Sequence, residues 1–240
     1  MLWYKTWIET RGRLFVCLAV MLLPVYNFLV WKKFLLPGEI DDLAFYLKTL
    51  FEYHFGAALI WIFSAILLGL GGLARERAIG SSSLTLALPV SRTYLVCVRV
   101  AVGMFQAITL AIVPWFSYFC ISFFRRTPFS ISQAAGCLLI LICSGTVYFA
   151  ASILISSIIE GEYTAAAAAY GVVILAIVLS ENIATLKGMS PLDLVTGAEF
   201  IDNQTYLFSA GLPWITILAS LSVAGLMAVF SIAITRWRDF

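Results

Sequence analysis

Six stretches of this chain are each long and apolar enough to force a single kind of structure. They run over residues 14–35, 55–73, 94–119, 131–155, 163–180 and 212–234. A helix needs about 20 mostly apolar residues to cross the hydrocarbon core of a bilayer. In that medium a segment can satisfy its own main-chain hydrogen bonds only as a helix or in a closed barrel. Six such runs exclude a soluble fold, and 12% charged residues among 240 leave little material for a soluble domain. Soluble domains carry about 25% charged residues. The expected fold class is therefore an all-α integral membrane protein with six transmembrane helices, one domain over residues 1–240.

The flanks of the runs refine this reading. Residues 1–13 mix Trp3, Tyr4 and Trp7 with Lys5, Arg11 and Arg13. That composition predicts an interfacial helix in the headgroup layer. The run from Leu14 is longer than the apolar core of a cleavable signal peptide, so it is expected to remain as a span. Pro24 and Pro114 fall inside spans and are candidate kinks. The stretch from Pro37 to Tyr53 is acidic and predicts a short surface helix. Residues 181–211 form a long segment with room for one or two short amphipathic helices beside the last span. Gly69, Gly71, Gly72 and the five alanines 165–169 are places where helices can approach closely. Cys17, Cys97, Cys120, Cys137 and Cys143 lie in apolar runs without metal or disulfide spacing, and are read as small core residues.

Six spans put both termini on one side. That side holds nine of the fifteen Lys and Arg residues and the other holds six. The bias marks the termini and the loop 74–92 as cytoplasmic. No basic run, zinc spacing or RNA-binding motif points to nucleic acid.

Loop 74–92, ARERAIGSSSLTLALPVSR, is the longest polar break in the first two-thirds of the chain. A turn between two spans needs far less. Arg75 and Arg77 can hold the end of the second span at the headgroups, with Glu76 between them. Gly80 permits a sharp change of direction. Ser81, Ser82 and Ser83 are competent helix N-caps. Leu84 and Leu88 share one face at i, i+4 spacing, and Pro89 ends the turn. Ser91 can cap the next helix, with Arg92 anchoring its start. The pattern predicts a short crosswise helix over residues 81–88 that presents a ridge to a cytosolic partner.

An acid between bases, a glycine, a leucine-rich turn and Leu88-Pro89-Val90-Ser91-Arg92 together resemble the ABC-2 type permeases of ABC exporters. The layout of the whole chain resembles them too. The serine triplet departs from the threonine and acid found in many members at that place. The resemblance implies a chain that works with separate ABC ATPase subunits and a second permease chain, identical or related. It implies that residues 81–88 form a coupling helix seated in an ATPase cleft. It also implies a second contact at the short turn Ile159-Glu160-Gly161-Glu162-Tyr163. No cofactor is expected in the chain itself, with ATP and magnesium held by the partner.

The residues bear on the alternatives. No G-x-x-x-x-G-K-[ST] loop is present to cradle a nucleotide. An intramembrane serine enzyme would need a histidine base. The single histidine, His54, is read as a surface residue at the edge of the second span, and Ser144-Gly145 is the nearest serine motif. A substrate-binding subunit of an importer would not need loop 74–92. A secondary transporter usually places ionisable groups deep in its spans. Here the spans carry aromatics, Ser, Thr and Gln106, which suits a lipid-like or amphipathic cargo.

Topology is directly testable. A cysteine placed at Asp42 or Asp193 should react with an impermeant maleimide added to intact cells, and one at Ser82 should not. Labelling of Ser82→Cys from outside would reverse the orientation.

Overall fold

The computed structural model describes residues 2–31, 43–70, 91–125, 131–159, 161–182, 190–202, 208 and 211–237. Six long helices account for nearly all of them. They are α1 (Leu2–Trp31), α2 (Leu43–Gly69), α3 (Arg92–Arg125), α4 (Ile131–Ile158), α5 (Glu162–Asn182) and, last in the chain, α7 (Trp214–Trp237). Between α5 and α7 lie the short helix α6 (Pro191–Thr196) and one 3-10 turn, Ala198–Phe200. An isolated antiparallel bridge joins Ile201 to Phe208. Among the described residues, five helices are long and apolar enough to cross a membrane, over Phe51–Gly69, Thr93–Cys120, Ile131–Ile158, Tyr163–Ser180 and Trp214–Trp237. α1 is the sixth long helix.

Side-chain contacts fix how the helices run. Arg13 near the start of α1 meets the end of α2, and Glu9 meets Arg99 near the start of α3. Ser152 near the end of α4 meets Ile66 near the end of α2. Gly136 near the start of α4 lies beside Leu212, just ahead of α7. Successive long helices therefore alternate in direction. We call the end holding the first turns of α1 the near end and the other the far end.

α2 is the hub of the bundle. On the near half its carbonyls receive donors from three helices: Tyr170 of α5 to Phe63, Ser152 of α4 to Ile66, and Arg13 of α1 to Leu67 and Leu70. α2 also supplies polar side chains of its own. Trp61 Nε1 donates to the Ala107 carbonyl at 2.9 Å and Tyr53 OH to the Pro114 carbonyl at 2.8 Å, both on α3. His54 Nε2 lies 3.0 Å from the Thr196 carbonyl at the end of α6. Interhelical hydrogen bonds in membranes average about 0.6 kcal/mol each. Six such anchors set a register more than they set total stability. The apolar core around them gathers Met21, Ala58, Trp61, Ile62, Ala65, Ile66, Leu110, Ala111 and Leu141.

Small residues allow the close approaches. A Cβ at Gly69 would sit 2.9 Å from the Phe149 carbonyl oxygen, so the end of α2 rests directly on the α4 backbone. Gly145 of α4 leaves room for the Trp61 ring. Ala165 and Ala169 of the alanine run are buried. Gly71 and Gly72 lie outside the described residues.

Several expectations need correction. Residues 2–13 are not a helix of their own, because α1 continues unbroken to Trp31. Thr6 and Thr10 are buried, while Trp3 and Tyr4 are exposed. The short surface helix expected before the second span is the first part of α2, which starts at Leu43. α6 packs against α4, α2 and α5. Cys17 and Cys137 are buried core residues, but Cys97 is exposed on the outside of the bundle. His54 is fully buried under α6, with its ring centroid 5.5 Å from that of Trp115. Position at the edge of a span misled the reading, because α6 folds back over that edge.

Gly145→Ala should destabilise the bundle by about 1–3 kcal/mol, since the new methyl meets a Trp61 ring held by its own hydrogen bond. Gly56→Ala, with open space at its Cβ, should leave stability unchanged or raise it by up to about 1 kcal/mol. Thermal unfolding in detergent reads both. Equal effects would remove the Gly145–Trp61 contact from the account.

Candidate functional site

The near end of the bundle is built from helix termini, and each terminus has a local cause. α4 ends at Ile158 and α5 begins at Glu162. Gly161 between them takes φ +99°, a left-handed conformation suited to glycine. Its carbonyl accepts the Thr164 hydroxyl at 3.2 Å. α4 and α5 are therefore joined by a tight turn. At α3, Ser91 Oγ accepts the Tyr94 amide at 3.2 Å, the capping role read from the sequence.

α2 ends at Gly69 and its last carbonyls face a cation. Arg13 Nη1 donates to the Leu67 carbonyl at 3.4 Å and to the Leu70 carbonyl. A helix leaves its last four carbonyls without intrahelical partners. A guanidinium there satisfies two of them and opposes the negative end of the helix dipole.

One turn before Arg13, Glu9 pairs with Arg99 at 3.1 Å and with Lys5 at 3.6 Å. Thr10 on the same face receives Gln106 Nε2 of α3 at 2.8 Å and donates to the Thr6 carbonyl at 2.9 Å. Gln106 is fully buried. Thr6, Glu9, Thr10 and Arg13 follow i, i+3, i+4, i+7 spacing, so one stripe of α1 holds the polar groups. Further along, Leu14, Cys17, Met21 and Val25 continue that face as apolar core.

Most sequence-predicted site residues fall elsewhere. Arg75, Glu76, Arg77, Gly80, Ser82, Leu84, Leu88, Pro89 and Glu160 lie outside the described residues. Arg92 and Glu162 open α3 and α5. The structure brings together the points that flank them: Leu70 and Ser91 on either side of segment 71–90, and the α4–α5 turn, all at the near end. Of the anchoring residues, Glu9, Thr10 and Arg99 were not singled out from sequence, while Arg13 was read as a headgroup cation and Gln106 as span lining. The helical spacing of Thr6, Glu9, Thr10 and Arg13 was the available signal, together with an arginine two turns inside an apolar helix.

At the far end, His54 Nδ1 and Ser144 Oγ each lack a hydrogen-bond partner. They are not bonded to one another, so no serine–histidine dyad is formed. The buried histidine instead fastens the end of α6 to α2.

A family model described as ABC-2 family transporter protein matches residues 14–234. No curated protein matches the chain, and neither does any solved structure. The family match starts within α1, ends within α7 and takes in every helix between them. The chain therefore belongs to the ABC-2 family of transporter proteins, as a multi-pass permease of an ABC transporter.

Proposed function

We propose that this chain is the membrane half of an ABC exporter, acting as a pair of permeases driven by two separate ATPase subunits. The observation that carries the reading is the family match across the six long helices, with segment 71–90 between α2 and α3 at the near end. All six long helices cross the plasma membrane in this reading, with both termini and segment 71–90 in the cytoplasm. Residues 81–88 form the coupling helix, and the α4–α5 turn with Glu160 and Glu162 makes the second ATPase contact. The chain itself hydrolyses nothing. ATP and magnesium bind the partner, consistent with the lack of a phosphate-binding loop in the sequence.

The outward faces support lipid and a second permease as the neighbours of the bundle. α7 has only 17% of its spanning window buried and exposes Ile215, Leu218, Val229 and Phe230. α3 exposes Phe105, Phe116 and Phe123. Apart from Arg13 and the Glu9–Arg99 pair at the near end, the interior polar groups described above are an amide, hydroxyls, an indole and an imidazole. Such a lining favours a lipid-like, peptide or drug-like cargo over an ion-coupled sugar or amino acid.

Leu84→Asp tests the coupling role. A carboxylate forced into an apolar partner contact costs several kcal/mol, so the substitution should release the ATPase subunit while the bundle stays folded. Leu88→Asp added to it should deepen the loss, because both lie on one face. The measurement is co-purification of an ATP-hydrolysing subunit with the tagged chain, and vanadate-sensitive hydrolysis by the complex. Wild-type levels of both in the double variant would show that residues 81–88 do not couple. Hydrolysis by the purified chain alone would overturn the division of labour.

A further inference from the structure

We propose that the first turns of α1 are a strap that carries the motion of the ATPase contact into the bundle, with Arg13, Glu9 and Arg99 as its positioning residues. The inference rests on the reading that segment 71–90 docks on an ATPase. Its own ground is the pattern of contacts at the two places where that segment joins the bundle.

Segment 71–90 follows Leu70 and precedes Ser91. Arg13 holds the departure point by donating to the Leu67 and Leu70 carbonyls. Glu9 holds α3 two turns after the return point, through Arg99 at 3.1 Å. Thr10 and Gln106 continue the same seam one turn or two deeper, at 2.8 Å, where Gln106 is fully buried. One helix thus grips both ends of the segment, and it does so with three different chemistries spaced along a single face. Glu9 and Arg13 also lie ahead of the stretch that the family model matches.

The seam is suited to transmission more than to stability. The Glu9–Arg99 pair is about a quarter to a third exposed, where an ion pair contributes little to folding. Its geometry nevertheless keeps α1 and α3 in one register. Arg13 is anchored to main-chain carbonyls, so displacement of the end of α2 is delivered to α1 without passing through a flexible side chain on α2. α1 packs along both α2 and α3. A push on segment 71–90 would then move three helices as one body.

The test uses the complex obtained with the tagged full-length chain. Arg13→Gln, and Glu9→Gln combined with Arg99→Gln, should keep the ATPase subunit at the wild-type ratio and lower vanadate-sensitive hydrolysis at least fivefold. Thermal midpoints should stay within a few degrees of wild type. Arg13→Lys should recover activity to within about twofold. So should the reversed pair Glu9→Arg with Arg99→Glu, made with Lys5→Glu to remove the like charge. These two conservative changes decide the matter if the glutamine variants do not fold. Wild-type hydrolysis in the glutamine variants would overturn the strap and leave the partner reading intact. Loss of the ATPase subunit from them would also overturn it, because α1 would then serve docking as Leu84 does. A wild-type chain that brings down no ATP-hydrolysing subunit would overturn the partner reading and the strap with it.

Discussion

A carbonyl at the end of a helix has no partner of its own, and in hydrocarbon it has no water either. The end of α2 meets that constraint through Arg13 of α1, which donates to the Leu67 and Leu70 carbonyls. The Phe63 and Ile66 carbonyls accept hydroxyls of α5 and α4 in addition, Ile66 beside the Leu70 amide. The helix's own side chains Trp61, Tyr53 and His54 give or share hydrogen bonds with α3 and α6. Apolar packing alone holds helices together in lipid without choosing a register, since lipid tails are as apolar as leucine. The directional bonds around α2 choose it.

That centrality places the functional segment. The helix that every neighbour except α7 addresses by a hydrogen bond is the one that runs directly into segment 71–90. Gly69 is pressed against the α4 backbone and Leu70 is fully packed, so the end of α2 has little freedom to absorb a displacement. α5 and α7 are different. Their windows are 22% and 17% buried, and α7 is anchored mainly on α4. A permease needs parts that move against each other and a lipid or partner surface on which to do so. α5 and α7, largely outward-facing, supply the second, although α7 is firmly packed on α4.

Much of this was legible in the sequence, and what was missed has physical reasons. The number and order of long helices followed from hydrophobic runs, because a bilayer leaves few alternatives. Ser91 as a cap and Gly161 at a tight turn followed from local chemistry. The breaks expected between residues 1–13 and the first span, and between the surface helix and the second span, are absent: α1 runs unbroken from Leu2 and α2 from Leu43. Thr6 and Thr10 are buried, and Thr10 is held by Gln106 of α3. His54 and Arg13 depend on partners 142 and 57 residues away, Thr196 and Leu70. No local pattern encodes such partners. The residues 74–90, which carry the strongest motif, lie outside the described structure. Their role rests on the sequence and the family.

The central claim is that the near ends of α1 and α3 move as one body when the ATPase subunits close. Pairwise spin-label distances measure this directly, in the complex with and without ATP and vanadate, after replacement of the exposed Cys97. Labels at Ile8 and Tyr94, both on the outside of the near end, should keep the same separation in both states. Labels at Ile8 and Trp237 should change theirs, because α7 packs mainly on α4, away from the α1–α3 seam. A shift in the Ile8–Tyr94 distance, with Ile8–Trp237 fixed, would contradict the account.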